Sequence, residues 1–306
     1  MLIRHLSYFV TLAEEKHFAR AAEICNVTQP TLSAAIRKLE EHLKVTLIVR
    51  GHRFMGLTRD GERVLEWGRQ ILLDYDSLRN DLNDSHGSLS GTLRLGVIPA
   101  AMPSVSLLSE RFSDHHPDIV IEITSMTSRA IQHALDTFDI DGGITYLENE
   151  PLENVKRISL YQERYVFACR SDHPFADRMS LTWKEAVAEP LCLLSEDMQN
   201  RRILNGIATS LGLTIRPSVI SNSFLAVCSH LRNGLWCSIV PRTFFRMFGD
   251  SSDLVWIELT DPSHTQAVGL VISDRSPQSP MTKALVKALR GVDLGIDSDR
   301  RSPAHT

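Results

Sequence analysis

The chain has 306 residues, 43% of them apolar, which is enough to bury a core in more than one domain. Lys and Arg number 33 against 37 Asp and Glu, and the resulting charge of −4 excludes a protein that is basic along its whole length. The balance is uneven: residues 1–70 carry 11 basic against 8 acidic side chains and the remainder 22 against 29, so one end alone suits an anionic partner.

Five cysteines (Cys25, Cys169, Cys192, Cys228, Cys237) are scattered without a CxxC pair. That pattern points to reduced thiols in the cytoplasm rather than to a disulfide frame or a zinc site. The opening MLIRHLSYFVTL is too interrupted by Arg4, His5 and Ser7 for a secretory signal, and no apolar run reaches the roughly 18 residues of a membrane span.

Leu2, Leu6, Phe9, Val10 and Ala13 recur at helical spacing, so the chain opens with an amphipathic helix of about four turns. A second, short helix should turn Phe18, Ala21, Ala22 and Ile24 inward. After a brief turn, Thr28 is placed to cap a third helix with Pro30 in its first turn, where a missing N–H costs nothing. Leu32, Ala35, Ile36, Leu39 and Leu43 form the apolar stripe of that helix and leave Gln29, Thr31, Ser33, Arg37 and Lys38 opposite. Two helices joined this closely, the first carrying small alanines, make a helix-turn-helix whose second helix lies in the major groove of DNA.

Residues 47–61, LIVRGHRFMGLTRDG, read as two extended pieces of a wing rich in Arg and punctuated by Gly51 and Gly56. Gln29 is suited to bidentate pairing with adenine, Thr31 and Ser33 to base edges or a thymine methyl, and Arg37 to phosphate or guanine. Arg50 and Arg53 are candidates for phosphate or minor-groove contacts. The expected DNA-contacting set is Thr28, Gln29, Pro30, Thr31, Ser33, Arg37, Arg50, Arg53 and Thr58.

From Glu62 to about Ser85, Val64, Trp67, Ile71, Tyr75, Leu78 and Leu82 step by three or four. A six-turn helix with one apolar seam cannot bury that seam alone, which predicts pairing with a second copy of the chain. HGSLSG (86–91) reads as a hinge. Beyond it, strand-like runs at 92–98, 119–124, 141–146, 165–170, 191–195, 218–221, 237–241, 255–259 and 268–273 alternate with helical stretches at 104–115, 128–137, 200–211, 223–233 and 281–290. That alternation predicts a mostly parallel α/β sheet in two lobes.

The expected division is a winged helix-turn-helix at 1–61, a linker helix at 62–86, a hinge at 87–91 and a two-lobed domain at 92–295. The first lobe takes about 92–161 and 268–295, the second about 162–267. The polar tail 296–306 is expected to be disordered.

Over essentially its whole length the sequence resembles the LysR-type transcriptional regulators. The resemblance is carried by AA-x5-TQP-x2-S-x2-I-x2-LE from Ala21 to Glu40, by LIVR..R....LT..G, by the linker helix and by GTLRLG at 91–96. Ile48 departs from the family's usual Phe. The resemblance implies an N-terminal all-α winged helix-turn-helix dimerised through its linker, and a C-terminal α/β domain like periplasmic binding proteins that senses a small molecule between its lobes. It also implies homodimers or homotetramers on double-stranded DNA and contact with RNA polymerase.

In α/β sheets ligands sit beyond the carboxyl ends of strands, where helix N-termini attract anions. The positions that qualify are Pro99, Ala100, Ser104, Ser125, Thr127, Ser128, Ser195, Asn200, Arg201 and Ser223, and their small hydroxyls suggest a small, anionic effector. Peroxide sensing needs an exposed thiol with a resolving partner, and 191-LCLLSEDMQNRR-202 holds only Cys192. A nucleophile elbow, a P-loop, GxGxxG after a strand and HExxH are all missing from the sequence, so an enzyme or a plain solute-binding protein is the weaker alternative, and no cofactor or metal is implied.

Overall fold

The computed structural model describes residues 2–49, 54–83, 89–247 and 253–290. The chain divides into two compact units, the first up to residue 88 and the second from residue 89. The first unit holds α1 (Leu2–Glu15), α2 (Phe18–Ile24), α3 (Gln29–Leu43) and α4 (Arg59–Asn83). α1 packs against the other three helices. The core consists of Leu6, Phe9, Leu12, Ala21, Leu32, Ile36, Leu39 and Leu47.

Between α2 and α3, Asn26 takes a left-handed backbone (φ 53°), and the Val27 N–H returns to the Ala22 carbonyl at 2.9 Å, closing the turn in few residues. Leu2, Ile24 and Leu43, expected in the apolar stripes, are exposed. Each lies in the end turn of its helix, beyond the point where the helices cross.

α4 has two apolar faces. Val64, Leu65 and Leu72 pack on the N-terminal core. Gly68 lets the helix approach α1, because a Cβ there would meet Leu6 Cδ1 at 3.0 Å and Val10 Cγ2 at 3.2 Å. Trp67, Ile71, Tyr75 and Leu78 instead remain 67%, 42%, 42% and 55% exposed. The side chain of Leu82 lies outside the described residues.

The second unit contains β1 (Gly91–Val97), β2 (Ile119–Ser125), β3 (Gly142–Tyr146), β4 (Val155–Arg170), β5 (Ser180–Thr182), β6 (Cys192–Leu194), β7 (Val219–Ser221), β8 (Ser238–Pro241), β9 (Leu254–Thr260) and β10 (Thr265–Ser273). Its helices are α5 (Met102–His115), α6 (Ser128–Asp136), α7 (Trp183–Ala186), α8 (Gln199–Ser210), α9 (Phe224–Asn233) and α10 (Pro280–Leu289), with 3-10 turns at Pro99–Ala101 and Arg242–Met247. The main sheet runs β2-β1-β3-β10-β4-β9-β5, with β8 also on β4, while β6 and β7 pair separately.

The sheet is mixed rather than mostly parallel. β1 is parallel to β2 and β3, and β5 is parallel to β9, yet β4 is antiparallel to β8, β9 and β10. The reason is β4 itself, whose 16 residues span about 50 Å at ~3.3 Å each. Residues 155–164 lie beside β10, and residues 166–170 lie beside β9, so one strand serves both ends of the domain. The pattern at 165–170 was legible as a strand because it is continuously apolar. The half from Val155 to Arg164 alternates polar and buried positions and was missed.

Candidate functional site

The N-terminus of α3 presents a short-polar surface. Thr28 is extended (φ −78°, ψ 151°), and its Oγ1 accepts the Thr31 N–H at 3.4 Å and lies 2.8 Å from Thr31 Oγ1. Gln29, Pro30, Thr31, Arg37 and Lys38 are exposed and Ser33 is half-buried. The side chains of Gln29, Ser33 and Arg37 have no hydrogen-bond partner among the described residues, so their donors and acceptors are unspent.

Glu40, on the inner side of α3, explains how the wing is held. Its Oε1 accepts the N–H groups of Leu47 (2.7 Å) and Ile48 (3.3 Å), fixing the first wing strand to the recognition helix. Ile48 bridges antiparallel to Leu57, and the Val49 N–H reaches the Gly56 carbonyl at 3.0 Å. Thr58, expected as a lesser DNA contact, spends its hydroxyl internally: Oγ1 donates to the Thr46 carbonyl at 2.5 Å and accepts the Gly61 N–H at 2.9 Å. Gly61 is obligatory there, since a Cβ would stand 2.0 Å from the Leu47 carbonyl oxygen. Arg50 and Arg53 lie outside the described residues.

In the second unit the ten expected effector residues disperse. Pro99 and Ala100 are buried in the turn after β1, while Ser125 is exposed at the end of β2. Thr127 caps α6 by accepting the Ala130 N–H at 3.1 Å, a local role. Ser223 is exposed at the start of α9, and its side chain caps nothing. Arg201 is buried but faces its own lobe: Nε donates to Asn205 Oδ1 at 2.9 Å and Nη1 to the Leu194 carbonyl at 3.2 Å. Burial lowers its pKa.

Ser128 is buried, with its Oγ 3.5 Å from Arg202 Nη2. Arg202 itself forks onto Glu150, Nε to Oε1 and Nη2 to Oε2 both at 2.5 Å, and donates to the carbonyls of Glu196 and Asp197. The guanidinium holds the Glu150 carboxyl below the usual range. This pair ties α8 to the segment after β3, beside a cavity of about 410 Å³ lined by Asn149, Gln199, Arg202 and His264 among others.

Ser104 and Asn200, two of the expected residues, belong to a buried polar seam whose other members the sequence did not point to. Asn200 Nδ2 donates to Tyr146 Oη at 3.3 Å, and Thr145 Oγ1 donates to Gln199 Oε1 at 3.2 Å. Tyr161, Glu163 and Tyr165 follow at alternate positions on β4 and so share one face. The Glu163 carboxylate accepts the Thr243 hydroxyl, the Arg164 N–H (3.0 Å) and the Thr243 N–H (3.4 Å), and burial pushes its pKa up to about 7. The hydroxyls of Ser104, Tyr161, Tyr165 and Ser195 are buried without a hydrogen-bond partner.

Away from the seam, His173, Glu189 and Cys237 bring ligand atoms within 4.8 Å of one another. The Phe175 N–H donates to His173 Nδ1, leaving the ring proton on Nε2, 3.6 Å from Glu189. His173 thus offers the other two side chains only its protonated Nε2, not an open ligand nitrogen.

Residues 3–62 match the model of the bacterial regulatory helix-turn-helix proteins of the lysR family, and residues 86–293 match that of the LysR substrate binding domain. The chain belongs to the LysR family. It is 27% identical over 295 residues to the DNA-binding transcriptional dual regulator OxyR of Escherichia coli (strain K12), covering 95% of each. To the SDS degradation transcriptional activation protein of a Pseudomonas species it is 31% identical over 313 residues, covering 98% and 97%.

Among solved structures it is similar to a full-length OxyR variant from Pseudomonas aeruginosa (TM-score 0.78, 24% identity, 96% of each chain). It is also similar to CbnR in complex with its target DNA (TM-score 0.68, 21% identity, 95% and 99%). This LysR protein is a transcriptional regulator whose relatives are regulators and not enzymes, with a helix-turn-helix domain for DNA and a second domain for an effector. Among its described residues no helix is long and apolar enough to cross a membrane.

Proposed function

We propose that this LysR regulator reads promoter DNA with Gln29, Thr31 and Ser33 at base edges, Thr28 and Pro30 setting the helix entry, and Arg37, Arg50 and Arg53 on phosphates. The observation that carries the reading is the surface of α3, where Thr28 caps the helix and the side chains of Gln29, Ser33 and Arg37 have no partner among the described residues. Two copies paired along α4 present two such helices to a divided site, as a homodimer or as a homotetramer built from two such dimers. A small molecule in the seam of the second unit alters that arrangement and with it the contact to RNA polymerase, in the cytoplasm. Coupling of this kind is typically worth about 1–3 kcal/mol, enough to shift geometry or occupancy.

Several relatives are hydrogen peroxide-inducible genes activators. Burial pushes the thiols of Cys228 and Cys237 up to about 11 and about 12, and raises those of Cys169 and Cys192 as well. A neutral, enclosed thiol is a poor nucleophile, which favours a small-molecule effector over thiol oxidation.

The test is a footprint on the DNA flanking the protein's own gene at several salt concentrations. A two-part protected site with steep salt dependence is expected. Gln29→Ala should lose about 1–3 kcal/mol of discrimination at one base pair while leaving non-specific binding intact. Loss of affinity that is equal on all sequences would remove Gln29 from base readout.

A further inference from the structure

The seam is built from elements far apart in sequence: Tyr146 ends β3, Tyr161, Glu163 and Tyr165 share a face of β4, Ser104 comes from α5, Asn200 from α8 and Thr243 from a 3-10 turn. Tyr161, Glu163 and Tyr165 are 4%, 2% and 3% exposed, so the group is enclosed. Glu163 is a carboxylate in a low-dielectric setting, and a buried charge there normally has a cationic partner.

Among the described residues no such partner faces it. The Arg242 guanidinium lies over the Trp256 ring at 4.5 Å and 3.8 Å from Glu258, and Arg201 is turned to Asn205 and the Leu194 carbonyl. Arg164 occupies the opposite face of β4. His264 stacks on Tyr165 with ring centroids 6.4 Å apart, and burial lowers its pKa, disfavouring its charged form.

Of the hydroxyls around Glu163, that of Thr243 donates to the carboxylate and that of Tyr146 accepts from Asn200, whereas those of Ser104, Tyr161 and Tyr165 are buried without a close hydrogen bond. Leaving such groups enclosed and unpaired costs stability that a bound molecule recovers by donating to them. An entering carboxylate would instead meet Glu163 with no cation to offset it. An ammonium group supplies both the missing charge and the missing donors, and phenol rings attract it through their faces.

Building on the effector reading above, we propose that the effector is a small organic amine whose ammonium group is taken up where Tyr146, Tyr161, Glu163 and Tyr165 meet. This reverses the anionic expectation drawn from helix N-termini.

The experiment uses the full-length protein, with thermal melting and calorimetry against primary and quaternary amines of two to ten carbons and against carboxylates of matched length. Amines are expected to raise the melting temperature and carboxylates to leave it unchanged. Tyr165→Phe removes an unpartnered hydroxyl, so the ligand-free protein should melt no lower while amine affinity falls roughly tenfold, the loss of one hydrogen bond to a charged group. Glu163→Gln should weaken amines further.

If carboxylates bind and amines do not, the amine assignment is overturned and the effector reading survives. If nothing in either series binds, both fall. Amines that bind Tyr165→Phe and Glu163→Gln as tightly as the parent protein would overturn the placement.

Discussion

Pairing through α4 can be put to a quantitative test. Full burial of a large apolar side chain stabilises by roughly 1.5–3 kcal/mol. Trp67 and Leu78 are 67% and 55% exposed in the single chain, so covering them with a second copy is worth about 2 and about 1 kcal/mol per chain. Replacing both by Ala in both partners therefore removes ~6 kcal/mol, about 10⁴-fold in the dimer Kd. The fold of the unit should survive, because α4 is held to α1 by Val64, Leu65, Gly68 and Leu72 rather than by the exposed seam.

Sedimentation velocity over nanomolar to micromolar protein measures the change, with far-ultraviolet circular dichroism to confirm the helices. Arg63→Ala, an exposed polar change on the same helix, is the control and should leave the Kd alone. A double variant that sediments like the parent protein at every concentration would refute pairing through this face.

Two further outcomes follow from the ties inside each unit. Glu40→Ala leaves the Leu47 and Ile48 N–H groups without their acceptor, which should destabilise the N-terminal unit by roughly 2–3 kcal/mol. Amide exchange at Leu47 and Ile48 should speed up more than at Leu32, and equal protection at all three would dismiss the tether. The second outcome concerns pH. Glu163 has a folded pKa of about 7, above its ordinary value of 4.5, so the folded state binds the extra proton between those limits. Stability linked to this group is complete below pH 4.5 and is lost as pH rises through 7, on the order of 3 kcal/mol at most. Glu163→Gln should flatten the fall in melting temperature between pH 5 and 7.5. A parallel curve for the variant would show that the slope has another origin.

The first unit was legible in the sequence because its logic is local. Helical spacing, the Thr28 cap and the Asn26 turn lie within one or two turns of the residues they organise, and chain order alone places α2 beside α3. Its misses were at helix ends, where Leu2, Ile24 and Leu43 continue a stripe past the partner that would have covered it. At Thr58 a hydroxyl that looks free in sequence is engaged by Thr46 and Gly61, which only the folded chain brings near.

The buried seam of the second unit was legible only at Ser104 and Asn200, because it is assembled from residues far apart in the chain. Asn200 meets Tyr146 and Thr243 meets Glu163, separations of 54 and 80 residues that no periodicity encodes. Tyrosines on a strand read as core, and a single Glu among them reads as the exposed side of an edge. The rule that directed attention elsewhere, that helix N-termini draw anions, presumes N–H groups left open for a ligand. Here Thr127 occupies the start of α6 with its own oxygen, and Arg202, beside Ser128, is already forked onto Glu150. With Thr127 and Arg202 engaged from within, the proposed amine site lies instead at the buried phenols and the carboxylate of β4. Under the amine proposal, the sign of the ligand's charge is set by Glu163, which has hydrogen-bond donors but no facing cation among the described residues, and not by the helix ends.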